Sequence, residues 1–141
     1  MLQFKKILLP VDGSDHSFMA KQKAIGLAIA MEAEIVLFYA AGWIPGFISG
    51  QARDEAVKAQ AKEAESVLAP FREKLEAKGV KFSEKTASGN PGDMIAKAAR
   101  DEGCDIIVMG SRGLGELKCA VMGSVTQRVL SVCDMPVLVV R

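Results

Sequence analysis

The sequence predicts an α/β fold in which a five-stranded parallel sheet carries helices on both faces. Two observations predict this class. Short apolar runs of strand length alternate along the chain with longer segments of helical periodicity. The apolar runs are nearly continuous, as expected for strands that are buried on both faces of a parallel sheet. Because helical crossovers between such strands are right-handed, we expect a doubly wound domain.

The first half of the chain is predicted to contain two strands and two helices. The strands span Phe4–Val11 and Glu34–Ala40, and the helices run from Ser14 or Asp15 to about Met31 and over Gln51–Lys78. In the long second helix, apolar residues recur at three- and four-residue intervals between charged ones. Pro70 lies inside this helix and lacks an amide proton, which predicts a kink or a break. Glycines and a proline oppose regular structure in residues 41–50.

The second half is predicted to contain three strands and two helices. The strands span Val80–Thr86, Asp105–Met109 and Val137–Val140, and the helices run from Asn90 to about Glu102 and from Gly123 or Ser124 to about Cys133. Pro91 directly after Asn90 is typical of a helix N-terminus. The polar alternation of the third strand indicates a sheet edge. The last strand is wholly apolar, and at an edge its backbone groups would pair with a second chain, which predicts a homodimer.

Size and composition restrict the classes of function. A chain of 141 residues lies within the single-domain range, and we expect one domain over residues 1–141. The 18 basic and 17 acidic side chains form no basic tract, so we expect no nucleic acid partner. The apolar stretch Ile7–Val11 is far shorter than a bilayer span, which predicts a cytoplasmic protein without a membrane partner. Cys104, Cys119 and Cys133 show no close pairing, which indicates reduced thiols.

Glycines after the fourth strand carry the strongest functional signal. Gly110, Gly113 and Gly123 follow that strand, and Ser124 begins the next helix. Small residues let a ligand approach the backbone, and the first amides of a helix attract anions. The carboxyl ends of parallel strands meet at one edge of a sheet, so Asp12 after the first strand is expected beside these glycines. The sequence therefore predicts a nucleoside phosphate site.

Two widespread glycine motifs do not fit this loop. A P-loop requires a lysine directly after its second glycine, whereas Gly115 is followed by Glu116. The dinucleotide-binding motif requires a third glycine where this chain has Lys118. Both motifs also usually follow the first strand of their unit, a position that Asp12 and Gly13 occupy here.

The spacing of Gly110, Gly113, Gly123 and Ser124 resembles the ATP-binding signature of the universal stress protein family. The similarity extends over the whole chain. The segments that carry it are Ile7–Ser14, Gly89–Pro91, Asp105–Gly110 and Pro136–Val140. The resemblance implies the adenine nucleotide alpha hydrolase-like form of the doubly wound fold, a homodimer, and ATP as ligand in the nucleotide-binding branch of the family.

The resemblance also implies roles for individual residues. Asp12 would face the ribose or a phosphate-bound cation, and Ala40 would offer backbone groups to the adenine edge. The amides of Gly123, Ser124 and Val125 would hold the phosphates, helped by the hydroxyls of Ser124 and Thr126. The full set of implied nucleotide-binding residues is Pro10, Val11, Asp12, Ala40, Met109, Gly110, Arg112, Gly113, Gly123, Ser124, Val125 and Thr126. No protein metal site is implied, and Mg²⁺ or Mn²⁺ would arrive on the nucleotide.

The leading functional interpretation is an ATP-binding regulatory protein that acts as a dimeric switch or sensor. No Walker lysine or catalytic base is identifiable, so we expect at most slow ATP hydrolysis. His16 is the sole histidine and is interpreted as a surface residue. An alternative is a dimeric interaction module with a vestigial nucleotide site, which would act through the surface of the Trp43 loop. Trp43, Phe47 and Ile48 are equally consistent with a partner-binding patch, a lid over the ligand and ordinary loop packing. An adenylyl transferase is a third class, and the short motifs of such enzymes are absent.

Overall fold

The computed structural model describes residues 3–12, 14–111 and 122–141. Strands and helices alternate through these ranges. They are β1 (Lys6–Pro10), α1 (Asp15–Met31), β2 (Glu34–Ala41), α2 (Gly50–Ala77), β3 (Phe82–Ser88), α3 (Pro91–Asp101), β4 (Ile106–Gly110), α4 (Ser124–Val132) and β5 (Val137–Val140). Each element of the sequence prediction is confirmed, and its bounds differ by no more than two residues.

The five strands form one parallel sheet in the order β3-β2-β1-β4-β5. The chain winds outward from the central β1 to β3 and then returns to build β4 and β5 on the other side. The winding direction therefore reverses between β1 and β4. The sheet places β3 and β5 at its edges, which confirms both edge predictions.

Two apolar layers cover the sheet, because successive side chains of a strand point to opposite faces. In β1, Ile7 and Leu9 face a layer that includes Phe71 of α2, whereas Leu8 faces a layer that includes Ile95 of α3. The first layer also holds α1, and the second also holds α4 through Val129. This arrangement confirms the predicted α/β class with helices on both faces. None of the helices in the described ranges has the length and apolar character needed to cross a membrane.

The predicted break at Pro70 is wrong, because α2 runs through it from Gly50 to Ala77. A proline in a helix interior costs about 3 kcal/mol. The same helix buries Leu68, Phe71 and Leu75 against the sheet, and each such side chain contributes about 1.5–3 kcal/mol. Burial of this apolar face outweighs the lost backbone hydrogen bond.

Side-chain caps place the starts of two helices at the carboxyl ends of the strands. The Ser14 hydroxyl accepts the amide of Ser17 at the start of α1, at 3.2 Å. The Asn90 side chain accepts the amide of Asp93 at the start of α3, also at 3.2 Å. Ser14 was one of two predicted start residues of α1, and Asn90 with Pro91 was predicted as the start of α3; the structure confirms both starts. The first turns of α1 and α3 are thereby held next to the ends of β1 and β3.

Charged residues occupy the amino ends of the strands. The carboxylate of Asp105 accepts the backbone amides of Lys5 and Lys6, at 2.8 and 3.0 Å. Glu34 lies 3.8 Å from the Lys6 ammonium and 3.7 Å from that of Lys81. These contacts join the amino ends of neighbouring strands. The helices α1 and α3 begin at the other end of the sheet.

Candidate functional site

A cavity of about 140 Å³ lies at the carboxyl ends of β1 and β4, where the winding of the sheet reverses. In open α/β sheets this is the usual place for a ligand. The cavity is lined by Pro10, Val11, Asp12, Ser14, Ser17, Ala40, Pro91, Ile95, Met109, Gly110, Val125 and Thr126. We refer to it as the switch-point cavity.

The structure brings most of the predicted site residues together around this cavity. Those that line it are Pro10, Val11, Asp12, Ala40, Met109, Gly110, Val125 and Thr126. Gly123 and Ser124 stand at the start of α4 without lining the cavity. Arg112 and Gly113 lie outside the described residues.

The volume of the cavity fits part of a nucleotide. An apolar cavity of about 150 Å³ is large enough to hold one benzene molecule. Complete small-molecule sites usually measure roughly 300–1,000 Å³. The switch-point cavity therefore has room for about one planar ring. The remainder of a larger ligand would lie outside the cavity, along the carboxyl ends of the strands.

One side of the cavity is apolar and comes from α3, α4 and β4. Ile95 and Met109 are almost completely buried, and Val125 from the first turn of α4 completes this wall. Ala40 lies at the end of β2, where its neighbour Ala41 accepts the Gly89 amide at 3.3 Å. Apolar walls of this kind suit the faces of a flat aromatic ring.

Most of the polar lining comes from the β1–α1 connection. The Asp12 carboxylate accepts the Ser14 amide at 2.9 Å, which places the carboxylate at the start of α1. The Ser17 hydroxyl donates to the Ser14 carbonyl at 3.0 Å. Both serines are buried. The arrangement presents one carboxylate and two hydroxyl groups to a ligand.

Ser14, Ser17, Pro91 and Ile95 were missed as site residues. Ser14 and Pro91 were recognised only as helix-start residues. The three-residue spacing of Ser14 and Ser17 puts both hydroxyls on one face of the first turn of α1, and this signal was available. For Ile95 the sequence contains no comparable signal, since an apolar residue on α3 is equally well explained by the core.

Hydrogen bonds fix the start of α4 against the end of β4. The Gly123 amide donates to the Ser111 carbonyl at 2.7 Å, and the Thr126 hydroxyl donates to the Gly110 carbonyl at 2.9 Å. The predicted contact of the Gly123 amide with phosphate would require the first of these bonds to open. The Thr126 hydroxyl was also predicted to contact phosphate, and here it donates to the Gly110 carbonyl and joins α4 to β4 instead. The first amides of any helix lack intrahelical acceptors and carry partial positive charge. In α4 this positive end lies at the cavity, because Val125 of its first turn lines the cavity.

Tyr39, near the end of β2, lies within electrostatic reach of the site. Burial raises the pKa of its phenol, and the neighbouring carboxylate of Glu63 and the charge of Asp12 raise it further. Tyr39 is therefore an uncharged hydrogen-bonding group over the physiological pH range. Across the described part of the chain, no group of three or more His, Cys, Asp or Glu side chains is arranged to hold a metal ion.

The fold and the cavity define a class: a doubly wound α/β protein with a cavity where the strand order reverses. Comparison with known proteins specifies the family. The model of the universal stress protein family matches residues 3–141. A universal stress protein of Thermus aquaticus is 37% identical over 139 residues, which cover 98% of this chain and 99% of that protein. The chain belongs to the universal stress protein family.

Solved structures agree with this assignment. The structure of protein MJ0577 of Methanocaldococcus jannaschii is 30% identical, with a TM-score of 0.85 and coverage of 99% of this chain and 96% of that one. A universal stress protein solved in complex with cAMP is 26% identical, with a TM-score of 0.76 and 99% coverage of both chains. Both superpose over nearly the entire fold.

Proposed function

We propose that this chain is an ATP-binding regulatory protein that forms one domain and acts in the cytoplasm as a nucleotide-dependent switch or sensor. The observation that carries the proposal is the switch-point cavity, which has the volume of one planar ring between an apolar wall and a carboxylate. The similar universal stress protein solved with cAMP supports an adenine nucleotide as the ligand class.

In the proposed binding mode, the adenine ring enters the cavity between Ile95 and Met109, with its edge toward the backbone of Ala40. The ribose lies toward Asp12. The phosphates then extend along the start of α4, where the helix dipole favours negative charge. Arg112 and Gly113 belong to this proposal by sequence alone, since they lie outside the described residues.

A divalent cation fits this mode only as part of the nucleotide complex. Among the described residues that line the cavity, Asp12 has the one ionisable side chain. A single carboxylate supplies too few ligands for Mg²⁺, which usually binds through one or two carboxylates together with substrate phosphates and water. We therefore propose that Mg²⁺ or Mn²⁺ arrives on the phosphates and that Asp12 contacts it or the ribose.

The side chains that line the cavity support at most slow hydrolysis of ATP. Phosphoryl transfer depends on positioned charges and on a residue that orients the attacking group. The polar side chains that line the described cavity are Asp12, Ser14, Ser17 and Thr126, and the Thr126 hydroxyl is bonded to Gly110. If hydrolysis is slow, the nucleotide stays bound intact for a long time, which suits a switch or sensor.

The homodimer of the proposed switch uses β5. This strand forms one edge of the sheet, and Leu138 within it is 41% exposed. Unpaired backbone groups on an apolar edge favour pairing with a second copy across a two-fold axis. Sedimentation at micromolar concentration should give the mass of a dimer, and Leu138→Lys should shift it toward the monomer. Ile29→Lys, at a similarly exposed apolar position on α1, is the matched control.

Thermal unfolding tests the proposed ligand. At a free ATP concentration about a hundredfold above its dissociation constant, binding adds about 2.7 kcal/mol, which corresponds to a rise in melting temperature on the order of 5–15 °C. Mass spectrometry of material released from freshly purified protein should identify an adenine nucleotide. An unchanged melting temperature in millimolar ATP with Mg²⁺ would overturn the proposal.

A second candidate function is supported by the loop between β2 and α2. Trp43 is 71% exposed and Phe47 is 87% exposed, which is unusual for large apolar side chains outside an interface. This surface suits an interaction module for a protein partner. Trp43 is the sole tryptophan, so its fluorescence reports on the loop. A change in emission on addition of ATP would couple the loop to the cavity, whereas binding of ATP without a change would separate the two surfaces.

A further inference from the structure

The start of α3 packs closely against the first half of α4 at Gly92. Gly92 is buried, and a Cβ atom placed on it would lie 2.5 Å from Cγ and 2.6 Å from Cβ of Arg128. It would also lie 3.4 Å from the carbonyl oxygen of Val125. Carbon atoms in favourable contact are about 3.5–4.0 Å apart. The observed spacing of the two helices is therefore available only with glycine at this position.

An ion pair joins the same two parts of α3 and α4. Nε of Arg128 donates to a carboxylate oxygen of Asp93 at 2.8 Å. The side chains are 52% and 39% exposed, so the pair contributes little to overall stability. Its position matters more than its strength, because Asp93 directly follows Gly92. We call Gly92, Asp93 and Arg128 the α3–α4 clasp.

The clasp stands directly behind the apolar wall of the switch-point cavity. Pro91 and Ile95 of α3 flank Gly92 and Asp93, and both line the cavity. On α4, Val125 supplies both a lining side chain and the carbonyl oxygen that faces Gly92. Any change in the distance between the two helices here must therefore move parts of the cavity wall.

We propose that the α3–α4 clasp sets the width of the switch-point cavity and thereby its affinity for the adenine ring. The proposal deepens the proposed function and rests on it. A side chain at position 92 would push the helices apart by roughly 1 Å, since its Cβ must move from 2.6 Å to ordinary contact distance. A gap of about 0.5–1 Å forfeits a quarter to a half of the dispersion attraction across it. Gly92, Asp93 and Arg128 are positioning residues in this scheme.

The first experiment compares Gly92→Ala with Gly26→Ala. Gly26 is the matched control, because it lies inside α1 and an added Cβ there meets nothing within 4 Å. Adenosine and ATP are titrated calorimetrically against each folded variant, and melting temperatures are recorded in parallel. We expect Gly92→Ala to bind both ligands roughly tenfold more weakly and by the same factor, because the lost contacts are to the ring. Gly26→Ala should bind both like the wild type.

The second experiment removes the ion pair without crowding the helices. Asp93→Asn keeps the size of the side chain, and its exposed position leaves folding intact. Adenosine affinity should fall about twofold to threefold, within the range expected for an exposed ion pair. Asp101→Asn is the control, because Asp101 forms an exposed ion pair with Lys97 on the same helix but away from the cavity. Adenosine carries no phosphate, so it reports on cavity width and not on charge.

The outcomes separate the clasp from the proposed function. Wild-type affinity for adenosine in both Gly92→Ala and Asp93→Asn would overturn the clasp and leave ATP binding standing. A lower melting temperature with unchanged adenosine affinity would show a purely structural role and would overturn it as well. If Gly92→Ala does not fold, Asp93→Asn decides. A wild-type chain that binds neither adenosine nor ATP would overturn the proposed function and the clasp together.

Discussion

The two ends of the sheet use polar residues in opposite ways. At the amino ends of the strands, the Asp105 carboxylate is held by the backbone amides of Lys5 and Lys6, and Glu34 lies between two lysines. At the carboxyl ends, Asp12 and two serines line a cavity instead. A cavity forms only at the carboxyl ends because the winding of the chain reverses between β1 and β4. The connections that follow these two strands therefore run to opposite sides and leave a space between them. We expect substitutions at the amino ends to change stability and those at the carboxyl ends to change binding.

The largest expected effect comes from Gly123→Val at the carboxyl ends. Gly123 has φ −72° and ψ 161°, a conformation that valine adopts readily. Because Gly123 is buried, a melting curve first establishes that the variant folds. The added side chain would intrude where the phosphates lie, and ATP affinity should fall by about a hundredfold, or about 2.8 kcal/mol. Calorimetry and mass spectrometry of retained nucleotide measure this.

Gly46→Val is the control for this substitution. Gly46 is exposed in the loop between β2 and α2, and an added Cβ there meets nothing within 4 Å. It should retain nucleotide like the wild type. Full retention in Gly123→Val as well would mean that the phosphates do not pass the start of α4.

Asp105→Ala probes the amino ends and should give the next largest effect. Two backbone amides lose a charged acceptor, which should lower the free energy of unfolding by about 2 kcal/mol. For a domain of this size, the melting temperature should fall by roughly 5–10 °C. ATP affinity, measured on the folded protein, should change less than about twofold, since the cavity lies at the other end of the sheet. A clear loss of affinity would break the division between the two ends.

Asp12→Ala should weaken ATP binding by about tenfold, or about 1.4 kcal/mol. It removes the carboxylate beside the proposed ribose position and the acceptor of the Ser14 amide. Asp12→Asn keeps an acceptor oxygen and should have a smaller effect. Titrations with Mg²⁺ and with a chelator sharpen the result. If Asp12 binds the cation, its removal should matter only when Mg²⁺ is present, whereas a contact to the ribose should matter in both conditions.

The effect that is smallest at neutral pH concerns Cys104, which directly precedes Asp105 at the amino ends and whose thiol titrates only in alkaline solution. Burial raises the pKa of its thiol from 9.0 to about 11. Between these values the folded chain keeps a proton that the unfolded chain releases, so stability should fall as pH rises through this window and should be intact below it. Urea unfolding below pH 9.0 and near pH 11 measures the change. Cys104→Ala should lose less stability over this interval, and an identical pH dependence in both proteins would contradict the assignment.

Much of the site could be predicted because its residues stand at fixed places along the chain. Asp12, Ala40 and Gly110 each lie within two residues of the carboxyl end of a strand, and in a parallel sheet these ends lie side by side whatever the details of packing. Ile95 and Ser17 were missed because each is also explained by a local role, as a core residue or as part of a helix start. The predicted break at Pro70 failed for the opposite reason, since burial elsewhere on α2 overrode a local preference.

The sequence by itself determined the order and type of the elements, the two edge strands and the place of the glycine signature. These properties depend on periodicity and spacing within short segments of the chain. Only the tertiary structure decided the volume of the cavity, the engagement of the Gly123 amide with Ser111 and the close approach of Gly92 to Arg128. Such distances depend on side-chain packing between elements that are remote in the sequence, and no local pattern encodes them.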